Sequence, residues 1–244
     1  MPGIWLVLVP ARLQSTRIPE KPLADLFGKP LIVRVVQNLA PLAQQGCRII
    51  VATDSQRIVD ICKKEGLQAE LTSADHESGT DRCAELAKKF PHEYVLNVQG
   101  DEPFADVASL QLLMARFESS NYDIGTLAVK REYSQDFNNP NIVKLVKNSD
   151  GRAIYFSRSP IPYYRDSLPV NWWQHQGIYA YSKASLQKFV ALQPSSLERM
   201  EKLEQLRAIE AGMSILTVES TVQSFGIDTP EDLARATSIL REQK

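Results

Sequence analysis

The stretch 4–9 is apolar at every position and is closed by Pro10, so it has no polar face and predicts a strand buried on both sides in a parallel sheet. The loop that follows it therefore leaves the carboxyl end of a strand. Residues 31–43 place Leu31, Val35, Val36 and Leu39 at helical spacing, and 47–52 is again a short β-branched run. Residues 55–65 read as a helix stopped by Gly66, 80–89 as another, and 94–98 as a third buried strand. This alternation predicts an α/β layered domain with a largely parallel sheet. From about residue 124 the rhythm changes to short alternating runs at 124–129, 142–147 and 176–181, which predict a mixed sheet or small lobe. The segment 196–211 is strongly helical (Leu197, Met200, Leu203, Leu206, Ile209) up to Gly212, and 215–218 returns as a strand. The last helix has a marked start, with Thr229 as N-cap, Pro230 at the first position and Glu231 and Asp232 in the first turn.

Composition narrows the class. Of 244 residues 43% are hydrophobic and 23% charged, which supplies a sizeable core and excludes collagen-like, disordered and small disulfide-scaffold classes. Twenty-eight Lys and Arg against 29 Asp and Glu leave a net charge of −1, which argues against a general nucleic-acid partner. An anionic ligand must meet a local basic cluster. Cys47, Cys62 and Cys83 form no C-x-x-C pair, which argues against a stapled secreted fold or a zinc knuckle and fits a reducing cytoplasm. The apolar run 4–9 is too short for a membrane span and lacks a basic leader and cleavage site, so cytoplasmic location without membrane insertion is expected.

The loop 10–23 carries three cations, Arg12, Arg17 and Lys21, with two hydroxyls and several prolines. Cations converging beyond a strand end neutralise a polyphosphate, and prolines limit the entropy lost on ordering. Charge alone leaves a solvated surface loop equally open. The glycines of a Walker loop or a dinucleotide fingerprint are absent. Asp101 follows a buried strand and Asp228 precedes a capped helix; in α/β sheets such positions can meet over a ligand crevice, and each read alone is also a turn former or cap. Ser78 and Gly79 open a helix, where free N–H groups bind a ligand or where Ser78 is simply the N-cap.

At this loop the sequence resembles the sugar nucleotidylyltransferases, and within them the 3-deoxy-manno-octulosonate (Kdo) cytidylyltransferases, or CMP-Kdo synthetases. The resemblance continues through Val51-Ala52-Thr53-Asp54, Asp75-His76-Glu77-Ser78-Gly79-Thr80-Asp81-Arg82 and Asn97-Val98-Gln99-Gly100-Asp101-Glu102-Pro103. It runs on through Tyr155-Phe156-Ser157-Arg158-Ser159-Pro160-Ile161-Pro162, His175-Gln176-Gly177-Ile178-Tyr179, Leu203-Glu204-Gln205-Leu206-Arg207 and Gly226-Ile227-Asp228-Thr229-Pro230, in family order over nearly the whole chain.

The resemblance implies an α/β fold: a layered nucleotide-binding domain with a largely parallel mixed sheet and a smaller substrate and dimerisation lobe, roughly 125–182, within a single domain over 1–244. It implies CMP transfer from CTP to Kdo for lipopolysaccharide synthesis by a homodimer. Arg12, Lys21, Asp101 and Asp228 are then the expected catalytic residues, with Asp101 and Asp228 holding Mg2+. CTP falls to Ala11, Arg12, Arg17, Lys21, Ser78, Gly79, Arg82 and Gln99, and the acid sugar to Arg158, His175, Tyr179, Glu204 and Gln205. Read without the resemblance, Arg158 is a surface ion pair, His175 a core histidine, Tyr179 core packing and Glu204 an exposed helix residue. Glu102 is taken as a neighbour of the metal ligands. One position departs from the pattern: the family has glycine in its S-T-R-x-P-G-K-P stretch where this chain has Glu20. A CMP-sialic-acid-type synthetase, a nucleotide-sugar glycosyltransferase and a nucleotide-binding regulator impaired by Glu20 are the alternative readings.

Overall fold

The structure is a computed structural model and describes residues 5–166 and 171–242. Ile4, the head of the expected first strand, lies outside the described residues. The chain forms two compact units: the first runs to residue 107 and resumes at 224, and the second covers 108–223. The expected lobe, 125–182, falls within the second.

The first unit opens with β1 (Trp5–Ala11), α1 (Leu31–Asn38), α2 (Ala40–Gln44), β2 (Arg48–Thr53), α3 (Gln56–Lys64), β3 (Ala69–Leu71), α4 (Gly79–Ala87) and β4 (Tyr94–Asn97). Its strands lie in the order β3-β2-β1-β4 and are all parallel, as the alternation predicts. Every residue of β1 is buried, the reason it has no polar face. Pro10 does not end the strand: pairing with β2 continues through Pro10 and Ala11, whereas the register with β4 stops at Leu8. The proline therefore sits where one flank of β1 needs no further backbone donor. The helix expected over 31–43 is two helices meeting at Leu39, because Pro41 in the first turn of α2 has no N–H to continue the α1 ladder. Gly66, at φ +74, supplies the left-handed residue beyond α3.

The second unit begins with α5 (Val107–Glu118) and builds a mixed sheet from β5 (Ile124–Glu132), β6 (Lys144–Lys147), β7 (Ala153–Ser157), β8 (Asn171–Ser182) and, after three helices, β9 (Ile215–Ser220). β5 runs antiparallel to β8 and parallel to β9, while β6 pairs antiparallel with β7 and β8. The helices are α6 (Lys183–Val190), α7 (Ser196–Glu201) and α8 (Leu206–Glu210). The single helix expected over 196–211 is thus broken. Lys202 adopts φ 53, and the carbonyls freed at the break accept from Arg158, Nε to Glu201 O at 2.7 Å and Nη2 to Lys202 O at 3.3 Å. The chain closes in the first unit with α9 (Pro230–Glu242), where Thr229 Oγ1 accepts from the Asp232 amide at 3.2 Å.

Candidate active site

In the first unit the chain passes from β1 to β2 on one side and places β4 on the other, so β1 and β4 flank a topological switch point. Ligands in open α/β sheets bind beyond the strand carboxyl ends at such a point. A cleft of about 860 Å³ opens there, lined by the 10–22 loop, Asp54, Ala74, Gln99, Gly100, Asp101 and Asp228. That volume lies in the range of small-molecule sites. Gly100 fixes its floor, since a Cβ at that position would stand 2.5 Å from the Pro10 carbonyl oxygen. Only glycine lets the segment leading to Asp101 lie this close to β1.

Of the residues expected from the sequence, Ala11, Arg12, Arg17, Lys21, Gln99, Asp101 and Asp228 line this one cleft. A short 3-10 turn, Lys21–Leu23, has Pro22 in its first turn and presents Lys21 to the acidic pair. Lys21 Nζ donates to Asp101 Oδ2 at 2.5 Å and to Asp228 Oδ1 at 3.1 Å, and Arg17 Nη2 also reaches Asp228 Oδ1 at 3.0 Å. Burial opposes the Lys21 charge, but Asp101 and then Asp228 outweigh it and hold its pKa above the ordinary lysine value. Two carboxylates far apart in sequence thus converge on one cation. Their hard oxygens suit Mg2+, which keeps several waters and takes one or two protein carboxylates plus phosphate oxygens. The two carboxylates, converging on one nitrogen, fit that open mode of binding.

Three expected nucleotide residues, Ser78, Gly79 and Arg82, are not among those that line the cleft. Arg82 is fully buried, donating to Thr72 Oγ1 at 2.5 Å, Ser73 O at 3.2 Å and Asp54 Oδ2 at 3.3 Å. Asp54 in turn accepts from the Leu13 amide at 3.1 Å. Arg82 therefore acts on the loop through Asp54, a cleft residue that sequence reasoning missed although it ends the quoted Val51–Asp54 block. Burial pushes the Arg82 pKa down, opposed by the Asp54 charge. Ser78 is the N-cap of α4, its hydroxyl accepting from the Asp81 amide at 3.0 Å. Gly79 lets α4 approach β1, since a Cβ there would meet Pro10 Cγ at 3.1 Å. Glu102, taken as a bystander, is a carboxyl pushed up to about 7 by burial and then by the Asp101 charge.

A family profile described as Cytidylyltransferase matches residues 6–215. The chain is 45% identical to the 3-deoxy-manno-octulosonate cytidylyltransferase of Wolinella succinogenes, over 96% of this chain and 98% of that protein. It belongs to the 3-deoxy-manno-octulosonate cytidylyltransferase family. The protein of that name from Chlorobaculum tepidum is 43% identical over 98% of both chains. Among solved structures, a CMP:2-keto-3-deoxy-manno-octonic acid synthetase complexed with CTP has a TM-score of 0.94 at 36% identity, covering 99% of this chain and all of that one. A Bacillus anthracis structure described as a putative glucose-1-phosphate thymidylyltransferase in complex with a sucrose, with a TM-score of 0.70 at 15% identity over 98% of this chain and 96% of that one, shares the fold alone.

For a member of this cytidylyltransferase family, Glu20 now has a physical reading. Its backbone is left-handed, φ 49 and ψ 40, a conformation that glycine adopts freely and that explains the glycine of the family pattern. The carboxylate is exposed and turned to Arg57 of α3, which holds both oxygens, with Nη2 at 2.9 Å from Oε2. The added negative charge is answered outside the cationic cluster.

The sugar residues expected of a Kdo cytidylyltransferase all lie on the second unit. Arg158 ties backbone together, donating to Glu201 O, Lys202 O and, through Nη1, Pro140 O at 2.9 Å. The surface ion pair of the plain reading is therefore replaced by a clamp on carbonyls. His175 Nε2 lies 3.0 Å from Thr126 Oγ1, a hydroxyl that is also within hydrogen-bonding reach of Ile178 O at 2.8 Å and Gln176 O at 3.3 Å. Burial lowers its pKa to about 3 and keeps it neutral. Tyr179 packs against the His175 ring at a centroid distance of 5.6 Å, and its pKa is raised by burial and then by the Glu204 charge. Gln205 is buried, and its Nε2 has no hydrogen-bond partner among the described residues.

Proposed function

We propose that this protein transfers CMP from CTP to Kdo, giving CMP-Kdo and pyrophosphate, and that it does so in the cytoplasm as a Mg2+-dependent homodimer. The observation that carries this reading is the convergence of Lys21, Asp101 and Asp228 at the switch-point cleft, with Arg12 and Arg17 on its rim. It is joined by full-length kinship to cytidylyltransferases of this acceptor.

In the reaction the anomeric 2-hydroxyl of Kdo attacks the α-phosphorus in line, its proton passes to solvent water, and the bond to the α–β bridging oxygen breaks to release pyrophosphate. The rim cations Arg12 and Arg17 hold the triphosphate, and Lys21 neutralises charge that accumulates on the leaving oxygens. Gln99 and the backbone at Ala11, at the end of β1, line the cleft and are assigned to the nucleotide by family correspondence. Asp101 and Asp228 are the residues that would hold a magnesium ion, which when bound would supply positive charge against the α-phosphate and favour ionisation of the acceptor hydroxyl. Arg158, His175, Tyr179, Glu204 and Gln205 are assigned to the acid sugar by family correspondence, with His175 a neutral ring and Arg158 holding its own loop. Asp101→Asn and Asp228→Asn should each cut turnover by a factor of about 100 or more, the scale of a major electrostatic contribution of roughly 3 kcal/mol, with the fold intact. Near wild-type turnover at saturating magnesium in either variant would remove that residue from the reaction.

A further inference from the structure

We propose that Lys21 is the stand-in for the metal in the nucleotide-free protein: its ammonium and a divalent cation compete for the same two carboxylates, so metal binds tightly only after a triphosphate draws Lys21 away. This rests on the reading of Asp101 and Asp228 as metal ligands and concerns the order in which that site is filled. One nitrogen contacts both acids, at 2.5 Å from Asp101 Oδ2 and 3.1 Å from Asp228 Oδ1, and so competes for the same two carboxylates that would hold a cation. Arg17 adds a second positive charge on Asp228 at 3.0 Å. Two cations thus already balance two carboxylates, and nothing in the pair's charge calls for a further cation.

A dication entering beside the ammonium would meet like charge at hydrogen-bonding range, in a place where Lys21 is only 17% exposed and water screens poorly. Competition follows from that repulsion, and a ligand able to relieve it must offer the lysine an alternative anion. A triphosphate does so, because the lysine shares its loop with Arg12 and Arg17 on the wall of the same cleft. Filling is then ordered: nucleotide moves the lysine, and the vacated carboxylates take the metal. By linkage, the presence of Lys21 weakens metal binding and the presence of metal loosens Lys21 from the acids by the same factor.

The test is a titration of nucleotide-free protein with Mn2+, read by electron paramagnetic resonance, for wild type, Lys21→Met, Lys21→Gln and the double variant Lys21→Met with Asp101→Asn. Both single variants should bind Mn2+ at least about tenfold more tightly than wild type, the double variant should lose that gain, and circular dichroism serves to show which variants are folded. Having two uncharged replacements keeps the test available if one fails to fold. Equal or weaker Mn2+ binding in a folded single variant overturns the competition, as does a gain that persists in the double variant. If the titration shows no gain while Asp101→Asn still abolishes pyrophosphate release, the competition alone is wrong. If Asp101→Asn and Asp228→Asn retain full turnover, the metal-ligand reading beneath it is wrong.

Discussion

Replacing Gly100 by alanine tests the packing that sets the position of Asp101. The new Cβ would stand 2.5 Å from the Pro10 carbonyl oxygen, while Ala11 Cβ and Ile32 Cδ1, both at 3.5 Å, flank it. Ordinary contact begins at 3.4 Å, so the segment after β4 must retreat from β1 by about 0.9 Å, a displacement of the size that disables positioned catalytic groups. Overpacking of this kind costs about 1–3 kcal/mol, which for a chain of this size lowers the unfolding midpoint by about 4–8 °C at the middle of that range. The larger effect is on the reaction. Asp101 is the next residue and shares Lys21 with Asp228 at distances of 2.5 and 3.1 Å. A shift near 1 Å there should lower turnover by about 100-fold, or roughly 2.7 kcal/mol in the barrier. Pyrophosphate release at saturating CTP and Kdo, beside a thermal melt of the same preparation, reads both quantities. Turnover within about threefold of wild type together with an unchanged melt would refute the claim that the Gly100 contact positions Asp101.

Two further outcomes are expected. Glu20→Gly should leave CTP affinity nearly unchanged, because Arg57 already answers the carboxylate; Arg57→Ala should weaken CTP binding, and adding Glu20→Gly should restore it. Calorimetric titration at two salt concentrations checks this, and a large gain in Glu20→Gly that fades as the screening length falls below about 10 Å would show that the carboxylate acts on the triphosphate. His175 has a folded pKa of about 3 against 6.5 for a free imidazole. Between those values the unfolded chain binds a proton that the folded chain refuses, so this contribution is whole above pH 6.5 and is lost as pH falls towards 3. Urea unfolding at pH 7 and pH 5 should differ by about 2 kcal/mol less in His175→Gln than in wild type. Equal differences in the two proteins would place a charged or water-exposed ring at 175.

Much of the first unit is legible in the chain because burial on both faces leaves β1 no polar position, and a non-alternating run this short, closed by a proline, reads as a buried strand. The break at Lys202 is not legible, since the helical spacing runs unbroken from Leu197 to Ile209 and the break is accompanied by Arg158, more than forty residues away, bonding the freed carbonyls. The split at Leu39 was readable in principle from Pro41, whose missing donor interrupts any helix. At the site, the meeting of Asp101 and Asp228 depends on the path of the chain through both units, so no local spacing encodes it. Family resemblance carried it instead. Arg82 shows the limit of reading charge as exposure: its guanidinium is buried on Thr72, Ser73 and Asp54, and the cleft residue it supports, Asp54, was the one overlooked. A carboxylate at the carboxyl end of a parallel strand was the available signal. Glu20 was visible as a departure from pattern, but its left-handed backbone and its pairing with Arg57 needed coordinates.

The most direct measurement is pyrophosphate release on mixing the purified protein with CTP and Kdo in the presence of Mg2+, with the sugar nucleotide identified by mass spectrometry. Pyrophosphate and CMP-Kdo should appear in equal amounts, only when both substrates and magnesium are present, and much faster than with ATP, GTP or UTP or with sialic acid as acceptor, because a pocket shaped to one base or sugar leaves polar groups unpaired with another. CTP bound without turnover, or comparable rates with purine triphosphates, would contradict CMP transfer to Kdo as the reaction of this cleft.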